Sequence, residues 1–431
     1  MPSLLLDKLS GFSLHTTGLL GLLGADDAIS AIATAHVYGN RCLLGWYNTP
    51  GSFQIFKRLG SFVESTSPTG SPSKSVWHTD PRKLLKLNAH KGPRFRAAHS
   101  GTVMEETGYW AALFLQECAT RESEERVVPG RGTQPGVRIT IADLGQAPAS
   151  EMRPAFISAS TIFFASLLIS VSVVTCVLCA VYADWLASFS ILVGIVTSGL
   201  FCLVLGSADF VFKHNVPAKG SPPGDGILGS DKNMVLLRGE EGAVNAITRG
   251  EFSLRFPSQS HYNLIQRRSL LFLVQYFMQL LLIPQASLFG QTMFLTSFGV
   301  SALYNTWLSS DKEKVHRKFL FEQVLENPRL TKYTLGTRTA AVVFALLVLQ
   351  PQDPRGLLDE LLPDNTEQGG ETILERLRYH NDESLNGKVA GHLDGFRQQG
   401  RDLLASHDED VQAAYDVYKE YLQVTRPNLS V

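Results

Sequence analysis

Three long stretches without a charged residue dominate the hydrophobic pattern of this chain. They cover residues 154–183, 185–208 and 269–310, which are 30, 24 and 42 residues long. A helix of about 20 apolar residues crosses the hydrocarbon core of a bilayer. Only Asp184 separates the first two runs, so they predict a tight pair of membrane-crossing helices at 154–208.

The third run is too long for a single crossing. As one helix, residues 269–310 would extend about 63 Å, roughly twice the thickness of the hydrocarbon core. The chain must therefore turn back, and Pro284 is the strongest helix breaker within the run. The predicted fold is mainly α: a polytopic membrane protein whose four-helix transmembrane bundle consists of two helical hairpins.

Polar and mixed segments surround the two hairpins and predict small α+β cytosolic regions. In the first region, residues 42–47 and 53–56 resemble strands joined by a turn at 49–51, and residues 64–75 form a Ser/Pro-rich loop. Residues 9–25 are uncharged and would lie on the membrane surface, re-enter it or be buried in a soluble region. Short strands are also predicted at 137–144, 234–238 and 251–256. In the C-terminal tail, a helix at 408–424 would place on one side Val411, Ala414, Tyr415, Tyr418 and Leu422. The predicted division is an N-terminal cytosolic α+β region at 1–153, hairpins at 154–208 and 269–310, a cytosolic loop or cap at 209–268, a basic juxtamembrane segment with a short apolar helix at 311–352, and an acidic helical tail at 353–431.

Charge indicates which side of the membrane each segment occupies. The loop 209–268 holds eight Lys and Arg residues, whereas the two hairpin turns hold none. The positive-inside rule then places this loop and both termini in the cytosol. The last 81 residues carry 16 acidic and 8 basic side chains, a net charge of −8 that leaves +7 for the rest of a chain whose total is −1.

A short uncharged stretch at 339–352 leaves the number of spans undecided between four and five. Its 14 residues are few for a crossing. We expect an interfacial or partly buried helix. The alternative is a fifth span, which would place the C-terminus outside.

Two basic segments suggest contact with anionic lipid headgroups. They are Arg82–Arg96 and Lys312–Lys318, both next to predicted membrane or surface segments. The alternative for the first is an ordinary solvated cytosolic loop. Nucleic acid is not an expected partner, because no nucleic-acid-binding fold or regular aromatic stacking pattern accompanies the charge.

Small and amide side chains inside the runs predict close helix packing. The second helix carries a small residue at every fourth position, and Gln275 and Gln279 lie one helical turn apart on one face of the third. Small residues let backbones approach closely in lipid, and buried amides hydrogen-bond across helices. The alternatives are a narrow pore lined by these groups, or a substrate contact. The predicted packing residues are Ser190, Gly194, Ser198, Cys202, Gly206, Gln275 and Gln279.

No motif predicts a catalytic residue, a cofactor or a metal. Cys176 and Cys179 form a C-x-x-C pair, but apolar packing is the expected role of these thiols. Residues 224–229 match G-x-G-x-x-G without the preceding strand that a dinucleotide site needs. No ionisable residue lies within the four predicted spans, which argues against a proton- or ion-coupled transporter.

Three stretches carry a family resemblance. They are RGEEGAVNAITRGEFSLRF at 238–256, LLLIPQASLFGQTMFLTS at 280–297 and LGTRTAAVVFALLVL at 335–349. In these stretches the chain resembles uncharacterised multi-span membrane proteins of basidiomycete fungi, over roughly residues 150–350. The resemblance implies a fungal source and a multi-span fold, and no activity.

The sequence thus predicts an integral membrane protein with a structural, scaffold or partner-binding role. Its expected partners are the lipid bilayer and either a second copy of the chain or another protein. A channel or facilitator-type transporter is the alternative, and a membrane-embedded enzyme is third. An enzyme would need acid, base or metal residues converging at one face.

Overall fold

A computed structural model describes most of the chain. The described residues are 27–28, 41–57, 78–79, 91–123, 125–128, 136–145, 151–152, 159–206, 209–230, 233–255, 259–361 and 398–425. Several predicted features lie outside them: the uncharged stretch 9–25, the Ser/Pro-rich loop 64–75, most of the basic segment before Lys91, and the tail before residue 398.

The chain is mainly helical, with a sizeable mixed sheet. The α-helices are α1 Tyr109–Thr120, α2 Ala159–Val181, α3 Trp185–Gly206, α4 Glu241–Thr248, α5 Gln259–Leu282, α6 Leu288–Lys318, α7 Arg338–Leu349, α8 Pro354–Leu361 and α9 Gln398–Thr425. Short 3-10 turns cover Arg41–Leu44 and Ile283–Gln285, and a π-helical turn covers Phe319–Val324.

The strands form two separate sheets. They are β1 His78–Thr79, β2 Phe95–Ala97, β3 Val103–Met104, β4 Glu125–Val128, β5 Val137–Asp143, β6 Glu151–Met152, β7 Asp209–Lys213, β8 Gly226–Ser230, β9 Asn233–Arg238, β10 Glu251–Arg255 and β11 Arg329–Leu335.

The chain divides into two compact units, each assembled from three separate pieces of sequence. The bundle unit comprises residues 1–89, 151–213 and 251–319, and the sheet unit comprises 90–150, 214–250 and 320–431. The sequence-based division follows the chain in order. The structure instead groups distant segments, because strands from three pieces of the chain pair in one sheet.

The bundle unit is built on α2, α3, α5 and α6, which pack side by side. Two windows are long and apolar enough to cross a membrane: Ile162–Val181 in α2 and Trp185–Val204 in α3. The second hairpin differs because α5 ends at Leu282, which leaves 14 uncharged residues in that helix. Such a length extends only about 21 Å. By length and composition, the structure therefore supports two candidate spans and not a four-span bundle.

A small antiparallel sheet lies at one end of these helices. Its strand order is β1-β10-β7-β6. β6 precedes α2, β7 follows α3 and β10 precedes α5 along the chain. Phe319, directly after α6, contacts the rings of Phe212 in β7 and Phe252 in β10 at centroid distances of 5.6 and 5.8 Å. The open ends of both hairpins therefore meet at this sheet.

One carboxylate joins the two hairpin turns at the opposite end. Asp184 is the N-cap of α3, where its Oδ1 accepts a hydrogen bond from the Ala187 amide at 3.3 Å. Its Oδ2 accepts from the Ser287 amide at 2.9 Å and from the Ser287 hydroxyl. Ser287 in turn caps α6 through the Gly290 amide. The residue predicted only to mark a turn therefore connects two helix starts.

The sheet unit contains a seven-stranded mixed sheet in the order β3-β2-β8-β9-β5-β11-β4. The β5–β9 and β11–β4 pairs are parallel and the others antiparallel. In β9, Met234 and Leu236 join the core beneath α7, while Val235 and Leu237 alternate to the other face and are also buried. Both faces of the central strands are therefore covered. Predicted strands at 234–238 and 251–256 are confirmed, but they belong to different sheets and do not form one cap.

The short apolar helix expected at the membrane interface is instead the centre of the sheet unit. Nine of the twelve residues of α7 are buried, from Ala340 to Leu349. They pack against the sheet, α8 and α9. Length and hydropathy alone do not distinguish a core helix from a membrane-associated one. The alternative of a fifth span has no support here, since only α2 and α3 contain candidate spans among the described residues.

The acidic tail is also part of this core. In α9 the buried side chains are Val411, Ala414, Val417 and Tyr421. Val411 and Ala414 are buried as the sequence predicted, and Tyr418 packs against the core while partly buried. Val417 and Tyr421 are buried in place of the predicted Tyr415 and Leu422, which are only half-buried. Arg126 in β4 pairs with Glu420 at the border of this contact. The tail therefore supplies a covering helix for the sheet unit.

We expect replacement of Asp184 by alanine to lower the free energy of unfolding by about 2–4 kcal/mol, since a cap and two further hydrogen bonds are lost. Asp353→Ala is the matched control. Asp353 caps α8 through the Gly356 amide at an exposed site, so its loss should cost only about 0.5–2 kcal/mol. Chemical unfolding of the purified variants measures both. Equal losses would contradict the joint capping role of Asp184.

Candidate functional site

The interior of the bundle unit holds a short non-helical segment. We call residues 45–49, with the sequence GWYNT, the hub segment. It follows the 3-10 turn Arg41–Leu44 and precedes helical turns at 52–57. Tyr47, Asn48 and Thr49 are all essentially unexposed. The strands predicted at 42–47 and 53–56 are therefore wrong, and the polar residues between them lie inside the helix bundle.

Each of the four helices supplies at least one polar side chain to the hub segment. Buried non-helical backbone leaves N–H and C=O groups that must find partners within the protein. The hydrogen bonds are Asn48 N to Ser172 Oγ of α2 at 3.4 Å, Thr49 Oγ1 to Ser198 Oγ of α3 at 2.7 Å, Gln275 Nε2 of α5 to Thr49 O at 3.1 Å, and Tyr47 Oη to Asn305 Oδ1 of α6 at 3.0 Å.

The small residues of α3 make room for this segment. A Cβ atom on Gly194 would overlap the Asn48 side chain, and one on Gly199 would overlap the Trp46 ring. On the other side of the contact, a Cβ atom on Gly45 would overlap the Cys202 side chain. The hub segment thus lies directly against the backbone of α3, at a separation that larger side chains would prevent.

Four of the five predicted small residues of α3 are buried, and the fifth is half-buried. Ser190, Ser198 and Cys202 are almost unexposed, Gly194 is buried, and Gly206 at the helix end is half-buried. The hydroxyl of Ser190 donates to the Leu186 carbonyl of its own helix. The sequence predicted that another helix covers this face, whereas the structure places the hub segment there together with α5.

Gln275 and Gln279 are both fully buried. The sequence predicted hydrogen bonds from these amides to a neighbouring helix. Their partners are in the hub segment instead: the Thr49 carbonyl for Gln275 and, at 3.5 Å, Asn48 Oδ1 for Gln279. Asn48 and Gln275 also meet at Gly194, where a Cβ atom would lie 3.3 Å from Gln275 Nε2. Two carboxamides therefore meet at this glycine, and the third, Gln279, contacts Asn48.

Several polar atoms around the hub segment have no hydrogen-bond partner among the residues that the structure describes. They belong to side chains that are essentially unexposed. They are Asn48 Nδ2, Ser52 Oγ, Gln275 Oε1, Gln279 Oε1 and Asn305 Nδ2. An unpaired polar atom in an apolar interior costs about 1–3 kcal/mol, so this cluster of them is unusual.

A line of hydroxyls continues from the hub segment along α6. Ser297 Oγ donates to Ser172 Oγ at 3.4 Å, and Ser301 Oγ donates to the Ser297 carbonyl. All three serines are fully buried. The polar interior consequently extends from α3 across to α6, and every side chain named in it is uncharged.

This chemistry suits hydrogen bonding to a neutral group more than acid–base or metal chemistry. Within the described residues, no group of three or more His, Cys, Asp or Glu could hold a metal ion. Cys176, Cys179 and Cys202 are free thiols, and Cys176 Sγ contacts the Ser188 carbonyl at 3.4 Å.

Part of the first basic segment has partners of its own in the structure. Lys91 pairs with Glu106 at 2.6 Å and Arg94 with Glu105 at 3.0 Å. The antiparallel pairing of β2 with β3 brings these acids back to the basic run. The positive charge available for lipid at this end of Arg82–Arg96 is therefore smaller than the sequence suggested.

A second polar cluster lies at the carboxyl ends of two central strands of the large sheet. Asp143 and Arg238 end the parallel strands β5 and β9 and form an ion pair at 3.3 Å, and the Tyr421 hydroxyl accepts a hydrogen bond from Arg238. Burial raises the pKa of Asp143, which Arg238 and Arg329 partly oppose. His99 approaches Asp225 at 3.6 Å beside it. The Asp143 carboxylate is thus matched by Arg238, and both lie at the ends of two central strands of the sheet.

No protein-family model, curated protein or solved structure matches this chain. The functional interpretation therefore depends on the chemistry of the hub segment and on the surface of the bundle unit.

We expect Gly194→Ala to lower the free energy of unfolding by about 1–3 kcal/mol, because the new methyl group overlaps Asn48. Larger residues at Gly194 or Ser198, such as leucine, should prevent folding. Gly299→Ala in α6 is the control, since open space surrounds that position, and it should gain about 0.5–1 kcal/mol from helix propensity. Thermal unfolding in detergent measures the stability of both variants. Equal stability of the two would contradict the close contact between Gly194 and Asn48.

Proposed function

We propose that the protein is an integral membrane protein in which α2, α3, α5 and α6 all lie in the bilayer, and that it has a structural or partner-binding role there. The surface of the bundle unit supports the membrane location. In the described part of the chain 24 large hydrophobic side chains are exposed, and 20 of them belong to these four helices or the α2–α3 turn. Soluble monomers rarely expose such a continuous apolar surface.

Two features of α5 support the proposal that the second hairpin also lies in the bilayer. Leu270, Val274, Phe277 and Leu281 follow one face of α5 and are all exposed. The opposite face of α5 carries Gln275 and Gln279, which reach the hub segment. A helix with apolar side chains outside and amides inside has the distribution expected of a membrane bundle. In this proposal both termini are cytosolic, as is the sheet unit.

A scaffold role is supported chiefly by one observation, namely that the hub segment is hydrogen-bonded to all four helices at once. A transporter of the alternating-access type moves one group of helices against another. Moving any one helix here would break a buried hydrogen bond to the hub segment. The bundle is therefore suited to hold a fixed shape and to present the sheet unit to a protein partner or to a second copy of the chain.

A facilitator for small uncharged solutes is the second candidate. The unpartnered carboxamide atoms beside Asn48 favour it, because such groups could transiently replace the hydration of a neutral solute. Contact of Lys312–Lys318 with anionic lipid, and kinship with the fungal membrane proteins, are compatible with either candidate.

Lysine substitutions on the exposed faces test the membrane location of each hairpin. Val174→Lys in α2 and Val274→Lys in α5 should each reduce membrane insertion, since a lysine at the centre of a span costs about 2.5–3.5 kcal/mol. Val127→Lys, at an exposed position in the edge strand β4, should insert normally. Extraction of membranes with alkaline carbonate provides the measurement. Normal insertion of Val274→Lys alone would restrict the protein to two spans.

Reconstitution separates the scaffold from the facilitator. Vesicles that contain the purified protein should be no more permeable to water, urea or glycerol than protein-free vesicles. Protein extracted gently from its native membrane should behave as a discrete assembly larger than one chain in native mass spectrometry. Reproducible solute passage, abolished by Gly194→Ala, would instead establish the facilitator.

A further inference from the structure

Two aromatic pairs join α2 and α6 at opposite ends of the bundle unit. At the hairpin turns, the ring of Tyr182 contacts that of Phe289, with centroids 4.7 Å apart. Tyr182 directly follows α2, and its amide still donates to the Leu178 carbonyl. Near the open ends, the ring of Phe164 contacts that of Trp307 at 5.2 Å. On both helices the two pairs are 18 residues apart, which is five turns and about 27 Å, so the rings of each helix lie on one face.

The exposed side chains between these pairs have the profile of a membrane-spanning surface. Phe164 and Tyr182 are both exposed, as is Trp185 at the start of α3. Between Phe164 and Tyr182, the large exposed side chains of α2 are aliphatic, namely Leu167, Val173, Val174, Val177, Leu178 and Val181. Aromatic rings collect at both membrane–water boundaries, and the apolar side chains between them face the hydrocarbon. The spacing of the two pairs is therefore a measure of the hydrocarbon thickness that this surface fits.

An arginine marks one of these boundaries independently on α3. Arg268 of α5 is half-buried, and its Nη1 donates to the Leu200 carbonyl of α3 at 2.9 Å. Leu200 lies 15 residues after Trp185, about 22 Å along the helix. Because a guanidinium group is costly within hydrocarbon, the headgroup region begins no farther than this level on the α3 side.

We propose that the bundle unit is matched to a thin bilayer, with a hydrocarbon core of about 27 Å as in the endoplasmic reticulum, and not to a sterol-rich plasma membrane of about 32–33 Å. The proposal rests on the membrane location proposed above and specifies the kind of membrane. Tilting of the helices shortens the distance that the 27 Å spacing covers across the bilayer. In a thicker bilayer the two aromatic pairs could not both reach the headgroups, so the lipid would have to thin around α2 and α6.

Stability in bilayers of two thicknesses tests this match. The purified full chain is reconstituted into vesicles of monounsaturated phosphatidylcholine whose hydrocarbon cores are about 27 Å or about 33 Å thick. We expect the Tm to be higher in the thinner bilayer by roughly 2–5 °C, because each ångström of mismatch costs free energy. An equal or higher Tm in the thicker bilayer would overturn the proposal.

Fluorescence quenching by brominated lipids locates the aromatic pair near the open ends. The contribution of Trp307 is obtained by comparison with Trp307→Phe. In the thinner vesicles it should be quenched most strongly by bromine atoms close to the headgroups. Leu303→Trp combined with Trp307→Phe is the matched control, because Leu303 is exposed on α6 about one turn nearer the bilayer centre. Its indole should be quenched more strongly by bromine atoms at the chain ends.

The quenching depth also separates the two ways in which the proposal could fail. Strongest quenching of Trp307 by bromine atoms at the chain ends would place this ring in the hydrocarbon and refute the thickness match alone. Quenching of Trp307 at neither depth would refute the membrane location of the second hairpin itself, and the thickness match with it.

Discussion

Non-helical backbone inside an apolar bundle is the constraint on which the structure of the bundle unit depends. The hub segment cannot satisfy its own polar groups as a helix does, so the surrounding helices must supply partners. Ser172 and Gln275 bond to backbone groups of the segment. Ser198 and Asn305 bond to the hydroxyls of Thr49 and Tyr47, so all four helices contribute. The same constraint explains the glycines of α3, because partners of this kind are reached only at close separation.

The first hairpin, and the strands at 137–144, 234–238 and 251–256, could be predicted from the sequence, because each is encoded in a local pattern of charge-free or alternating residues. The burial of Gln275 and Gln279 followed from their spacing in an apolar run. The hub segment could not be predicted. Its partners lie 124 to 258 residues away in the chain, and no local pattern records such pairings. The one available signal was indirect: the helices carry more amides and hydroxyls than they can pair among themselves.

The position of α7 shows a second limit of hydropathy. Ten consecutive apolar residues fit a sheet core and a membrane interface equally well, and the choice depends on whether a sheet face and α9 are present to cover them. The burial of Val417 and Tyr421 in α9 likewise depends on the elements that cover them. Tyr421 is buried because Arg238 and Tyr333 lie beneath it, and neither contact can be read from the spacing of residues within the helix.

The interleaving of the two units has a consequence for biosynthesis. The hub segment leaves the ribosome before any of the four helices, yet its bond to Asn305 requires the last of them. The parallel pair β5–β9 likewise spans the whole first hairpin, and β11 joins β5 only after the second. The bundle unit can therefore be completed only after residue 305 has been synthesised, and the sheet unit only after β11.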